Sequence, residues 1–132
     1  MTANALFFLV DDDPDDLMLL KEAIHSINHS IRFTEAKDGR SALEFLTRTK
    51  NDLELPSLII LDINMPVVNG RDLLTNIKKE KRLQQIPIIV LTTSSYPGDI
   101  DFCRQYEVEL ITKPFGMNEL LEISRKLISS YA

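Results

Sequence analysis

Apolar runs of five or six residues recur five times along the chain, separated by longer stretches in which apolar residues return every third or fourth position. The runs are LFFLV (6–10), IRFTEA (31–36), SLIIL (57–61), IPIIVL (86–91) and VELIT (108–112). Their length and their content of Val, Ile and Phe predict strands. The stretches between predict helices over 14–28, 40–49, 71–82, 98–106 and 117–131. The last is the plainest, with Met117, Leu120, Leu121, Leu127, Ile128 and Tyr131 on one face at about 3.6 residues per turn. Strand and helix in strict alternation predict an α/β domain, a parallel sheet covered by helices on both faces.

The strands differ in a way that orders them. LFFLV, LIIL and IIVL are apolar throughout, as strands buried on both faces must be, whereas IRFTEA and VELIT mix polar with apolar positions and suit sheet edges. Placing the second and fifth strands at the edges agrees with the doubly wound order 2-1-3-4-5. A ligand site in such a sheet lies beyond the carboxyl ends of the first and third strands, where the winding reverses. Those ends carry Asp11 and Asp12 on the first strand and Asp62 on the third. Thr92 ends the fourth, and the fifth runs through Thr112 into Lys113. Three carboxylates, a hydroxyl and an ammonium are therefore expected on one rim.

Five of the six residues from 11 to 16 are aspartate. Two unit charges about 5 Å apart repel by roughly 3 kcal/mol at an effective dielectric near 20, so such a run needs either a cation or carboxylates with separate tasks. Asp13 precedes Pro14, the signature of a helix start in which the carboxylate caps free amides and proline takes the first helical position. Asp15 and Asp16 then fall in the first turn, where the helix dipole favours negative charge. Asp11 and Asp12 remain, facing Asp62. A site of oxygen donors without histidine or thiol suits Mg²⁺, which takes one or two protein carboxylates and leaves room for phosphate oxygens. Thr92 and Lys113 could meet a phosphoryl group. Asp62, from the central strand, is the candidate nucleophile for an acyl phosphate.

Composition narrows the picture. The 132 residues, 44% hydrophobic, fit one domain (1–132, core about 5–131) with no effector domain. A net charge of −5 and a pI near 5.0 argue against direct nucleic-acid binding. Lys78, Lys79, Lys81 and Arg82 form the one basic cluster, read as the solvated last turn of a helix. No apolar run approaches a membrane span and no signal peptide precedes LFFLV, so a soluble, cytoplasmic protein is expected. Cys103 is the sole cysteine, suited to a reducing compartment and to core packing rather than to nucleophilic chemistry.

These residues resemble the receiver domain of two-component response regulators, including the chemotaxis receiver, over about residues 5–131. LVDDD is similar to that family's acidic signature, LDINMPVVNG to its phosphoacceptor segment, IPIIVLTTSS to its fourth strand with the switch hydroxyl, and ITKPF to its lysine-proline turn. Together and in order they are specific. The NMPVVNG loop and the insertion RTKNDLELP also resemble stand-alone receivers paired with phytochrome-type and hybrid kinases. The resemblance implies a flavodoxin-like fold and a protein that is no conventional enzyme but catalyses its own Mg²⁺-dependent aspartyl phosphorylation and dephosphorylation. It makes Asp62 the phosphoacceptor, and Asp11, Asp12, Asp62 and the backbone carbonyl of Asn64 the Mg²⁺ ligands. Thr92 would reorient toward the phosphoryl group and Lys113 would pair with it. It also implies a cis Lys113–Pro114 peptide and a Gly70 that relieves the turn into the third helix. The partners it implies are a histidine kinase or histidine phosphotransfer protein and a downstream protein, with a homodimer open. The changing surface would be the fourth helix, fifth strand and fifth helix. Leu110 departs from the pattern: many receivers carry Tyr or Phe there, so a threonine–aromatic coupling cannot operate in its usual form.

Other readings are weaker. His25 and His29 have the spacing of a helical metal pair, but no Glu or Cys supplies a third ligand and HSINHS reads as a fraying helix end. Phe102 and Tyr106 suit packing or an output face. A phosphatase of the haloacid dehalogenase type needs D-x-D followed by Thr or Val and a later acidic pair, whereas here Pro14 and Asp15 follow Asp13. A nucleotide or flavin site needs a phosphate loop rich in Gly, Ser or Thr, which DDDPDD would repel. A pseudo-receiver, an interaction module without phosphorylation, is the remaining alternative.

Overall fold

The computed structural model describes residues 4–63, 70–93 and 96–132. Its strands are β1 (Leu6–Val10), β2 (Arg32–Ala36), β3 (Leu58–Leu61), β4 (Ile88–Thr92) and β5 (Glu109–Thr112). Its helices are α1 (Pro14–Ile27), α2 (Gly39–Arg48), α3 (Gly70–Lys79), α4 (Pro97–Gln105) and α5 (Met117–Tyr131), with a short 3₁₀ turn at Asp52–Glu54. The sheet order is β2-β1-β3-β4-β5 and every pairing is parallel. The flavodoxin-like, doubly wound architecture expected from the sequence is thus the one observed.

Alternation along the central strands builds two apolar layers. Phe8, Val10, Ile59, Leu61 and Val90 face α2, α3 and α4, where they meet Leu46, Leu73, Leu74, Ile77 and Cys103. Phe7, Leu9, Leu58, Ile60 and Leu91 face the other way, onto Leu17, Leu20 and Ile24 of α1 and Leu120 and Leu127 of α5. Each fully buried Leu, Ile or Phe contributes about 1.5–3 kcal/mol, and both faces of β1, β3 and β4 are covered, so these strands read as uninterrupted apolar runs. Met117, expected on the buried face of α5, is 43% exposed.

Register carries the sheet into the site. Val10 lies beside Leu61, Leu61 beside Val90 and Thr92 beside Thr112. The next backbone hydrogen bonds continue the ladder, from the Asp62 amide to the Val10 carbonyl at 2.9 Å and from the Lys113 amide to the Thr92 carbonyl at 2.8 Å.

Three expectations need correction. The third helix ends at Lys79 rather than at residue 82, because the chain turns to bury Leu83. Arg82 therefore leaves the basic last turn and donates to Asp52 at 2.5 Å and to the Thr49 carbonyl, tying down the segment before β3. The Lys113–Pro114 peptide is trans, the ordinary isomer for a prolyl bond, and not cis. Gly70 has no positive φ, so a left-handed turn is not what requires it. A Cβ there would lie 2.4 Å from Ile63 Cα and 2.9 Å from the Asp62 carbonyl oxygen. Glycine lets the start of α3 press against the end of β3.

Gly70→Ala is expected to push α3 off that strand end and to lower stability by about 1–3 kcal/mol, read from urea denaturation; an unchanged midpoint would refute the close-approach account. Asp38 caps α2 by accepting from the Ser41 amide at 2.7 Å, and that hydrogen bond holds its carboxyl below the ordinary 3.8. A depressed pKa stabilises the fold above the unfolded value and loses that contribution as pH falls through the lower folded value. Asp38→Ala should therefore cost about 1 kcal/mol at neutral pH, with the urea midpoints of variant and parent converging in acid.

Candidate functional site

The acids of residues 11–16 divide their tasks by position. Asp13 caps α1, accepting at Oδ1 from the amides of Asp15 at 2.9 Å and Asp16 at 3.4 Å. Asp11, the first residue beyond β1, is buried; its Oδ1 accepts from the Asp13 amide at 3.0 Å and its Oδ2 from Lys113 Nζ at 2.7 Å. Asp12 is exposed beside it. Asp62, buried at the end of β3, accepts from Thr92 Oγ1 at 2.9 Å on Oδ1 and from Lys113 Nζ at 3.1 Å on Oδ2. One oxygen of each of Asp11, Asp12 and Asp62 lies within 4.8 Å of the others.

Asp16 does more than complement the helix dipole expected from the sequence. Its Oδ2 accepts from Lys113 Nζ at 2.7 Å. No local signal marks this contact, because its partner lies 97 positions away. Asn64, expected to offer a carbonyl to a metal, lies outside the described residues. The remaining named residues, Asp11, Asp12, Asp62, Thr92 and Lys113, come together.

The cluster sets one ammonium against four carboxylates, with Leu9, Leu17, Leu20, Ile60 and Leu91 lining an adjoining cavity of about 60 Å³. Burial pushes the Asp11 carboxyl above its ordinary value, against the opposing hydrogen bonds from Lys113 and the Asp13 amide. For Lys113, burial opposes the charged form, yet its hydrogen bonds to Asp11 and Asp16 and the charges of Asp62 and Asp11 raise it above the ordinary lysine value. An ammonium raised against the cost of burial, with four carboxylates around it, marks a site with surplus negative charge. Oxygen-only donors at this spacing, with that surplus, fit a hard divalent cation.

Elsewhere the structure assigns the ambiguous residues to packing. His25 Nε2 donates to the Ile31 carbonyl at 2.9 Å and its ring lies 4.7 Å from that of Phe33, while α1 ends before His29. Cys103 is buried, which raises its thiol pKa. Phe102 packs on Tyr106 at 5.0 Å and beneath the Arg71 guanidinium at 5.1 Å. Sequence reasoning missed the Arg71–Asp99 ion pair, at 2.5 Å, which joins the starts of α3 and α4 around a buried carboxylate.

The family model for the response regulator receiver domain matches residues 7–125. The chain belongs to that family. Receivers are phosphoacceptor signalling domains of two-component systems, and the family expected from the strand-end motifs is the one found. A probable methanogenesis regulatory protein, FilR2 of Methanothrix harundinacea, is 32% identical over 119 residues, spanning 87% of this chain and 76% of the relative. The response regulator Rcp1 of Synechocystis is 30% identical over 123 residues, spanning 89% of this chain and 82% of Rcp1. The solved structure of its Mn²⁺-bound form aligns at a TM-score of 0.82 and 29% identity over 95% of this chain and 92% of that one. The phosphorylated cyanobacterial phytochrome response regulator RcpA aligns at a TM-score of 0.87 and 30% identity over 98% and 94%. No helix among the described residues of this receiver is long and apolar enough to cross a membrane.

Lys113→Met removes the ammonium that three carboxylates share. It is expected to lower stability by about 1–3 kcal/mol in EDTA, and a divalent cation should then restore more stability than it adds to the parent, because the ammonium no longer competes. Urea denaturation with EDTA and with MgCl₂ measures both; an equal metal response in the two proteins would contradict the shared-cation picture.

Proposed function

We propose that this receiver takes a phosphoryl group onto Asp62, from the phosphohistidine of a histidine kinase or phosphotransfer protein or from a small acyl phosphate, with Mg²⁺ as the cation. The observation that supports this reading is the position of Asp62: its two oxygens meet a hydroxyl at 2.9 Å and an ammonium at 3.1 Å, and two further acids stand alongside. A carboxylate oxygen of Asp62 attacks phosphorus and forms an acyl phosphate. The bond from phosphorus to the donor imidazole or carboxylate breaks, and the donor leaves with the electron pair.

Asp11, Asp12 and Asp62 would hold the cation, with Asn64 supplying its carbonyl. A bound divalent ion supplies positive charge against the phosphoryl oxygens. Thr92 donates its hydroxyl and Lys113 its ammonium to those oxygens, placing fixed donors where charge collects. RcpA, solved in a phosphorylated form, and Rcp1, solved with Mn²⁺ bound, support both halves of the reading by similarity. The output surface is α4, β5 and α5, read by a downstream protein.

Incubation with acetyl phosphate and MgCl₂ should add one phosphoryl unit to the intact mass. The adduct should be absent in EDTA and in Asp62→Asn. A folded protein that gains no adduct, or an Asp62→Asn variant that still gains one, would overturn the reading.

A further inference from the structure

An ammonium has three donors, and on Lys113 each meets one carboxylate: Asp11 at 2.7 Å, Asp16 at 2.7 Å and Asp62 at 3.1 Å. Given the proposed acceptor role of Asp62, on which this inference rests, two of those partners are committed elsewhere. Asp62 gives one carboxylate oxygen to phosphorus when it becomes an acyl phosphate. Asp11 is shared with a cation that competes directly with the ammonium. Asp16 has neither task.

Its setting suits a fixed partner. The amide of Asp16 is held by the Asp13 cap at 3.4 Å, so its backbone belongs to the anchored first turn of a fourteen-residue helix. Its side chain is 37% exposed, against 11% for Asp11 and 8% for Asp62, which places it at the rim of the cluster and not among the groups that enclose its centre. Lys113, by contrast, projects from the end of an edge strand on a flexible four-carbon stem and needs more than its own backbone to point at one place. We infer that Asp16 is a positioning residue: it holds the Lys113 ammonium at the mouth of the site while Asp11 turns to the cation and Asp62 to the phosphoryl group. Lys113 then meets the incoming phosphoryl oxygens from a restrained position and does not swing out to solvent.

The test compares rates of adduct formation with acetyl phosphate and MgCl₂, by intact mass, in the parent, Asp16→Ala, Asp16→Asn, Lys113→Met and Asp16→Ala/Lys113→Met. Asp16→Ala should slow labelling by about tenfold, the loss of one charge-assisted hydrogen bond. Asp16→Asn keeps an accepting oxygen without the charge and should fall between, and it keeps the comparison decisive if the alanine variant folds poorly. In the Lys113→Met background Asp16→Ala should cost nothing further, because its effect passes through the lysine. A second readout needs no phosphoryl donor: in EDTA, the parent should show a Lys113 ammonium resonance by NMR that broadens or vanishes in both Asp16 variants. Equal labelling rates in parent and Asp16 variants, or a slowing that persists without Lys113, would overturn the positioning role and leave Asp62 as acceptor. Absence of the adduct in the folded parent would overturn the acceptor reading and this inference together.

Discussion

The contact on which this receiver's site depends is one ammonium shared among three carboxylates. Lys113 comes from the end of β5, and Asp11 from the end of β1, with β3 and β4 between them in the sheet. Acids at that spacing repel by roughly 3 kcal/mol per pair at an effective dielectric near 20, and the long lysine side chain offsets part of that cost by reaching across two strands. In doing so it ties the carboxyl ends of β1, β3 and β5 and the first turn of α1 to a single point. The parallel register makes this possible, since the strands end level with one another and deliver their next residues to the same rim.

The lysine does not finish the task. Four carboxylates against one ammonium leave the rim anionic, and Lys113 is raised against the cost of its burial by its hydrogen bonds to Asp11 and Asp16 and by the charge of Asp62, while burial itself raises Asp11. A site optimised for stability alone would replace some of these acids with apolar or neutral groups. Retaining them is intelligible where a divalent cation and a phosphoryl group arrive together, the first balancing the acids and the second the ammonium and the cation. The apolar wall of Leu9, Ile60 and Leu91 beside the cluster lowers the local dielectric and strengthens each of these attractions.

What could be read from sequence follows the range of the forces involved. The strands were legible because burial on both faces leaves an uninterrupted apolar run, and the edge strands because one face is partly polar. Asp13 was legible as a cap because capping is settled within three residues. The convergence of Asp11, Asp62, Thr92 and Lys113 was legible through topology, since strand ends in a parallel sheet share a rim. Asp16 was not: its partner is 97 positions away, and nothing in the first turn of a helix announces a tertiary ion pair. Arg71–Asp99 and Arg82–Asp52 escaped for the same reason. The early end of α3 is a tertiary effect too, because burial of Leu83 outweighs the helical preference of Lys and Glu around it. Gly70 was expected to matter, and does, but through backbone crowding between two elements that local sequence does not register.

Leu110 bears on how a change at Asp62 can travel. An aromatic ring at that place can report the movement of a threonine by turning inward; leucine, half-buried on the α4 side of the sheet, has neither the size nor the hydroxyl to do so. Thr92, however, already donates to Asp62, so exchanging a carboxyl oxygen for a phosphoryl oxygen asks for a displacement on the scale of a bond or two, not an approach from a distance. Such a displacement acts on the end of β4, and α4 begins five residues later at Pro97. There the start of α4 is clasped to the start of α3 by Asp99 and Arg71, with the guanidinium resting on Phe102. The first turns of α3 and α4 are thus linked by a charged contact that spans both segments leaving the site. The ion pair joins the first turns of the two helices that follow the strands leading to Asp62 and Thr92.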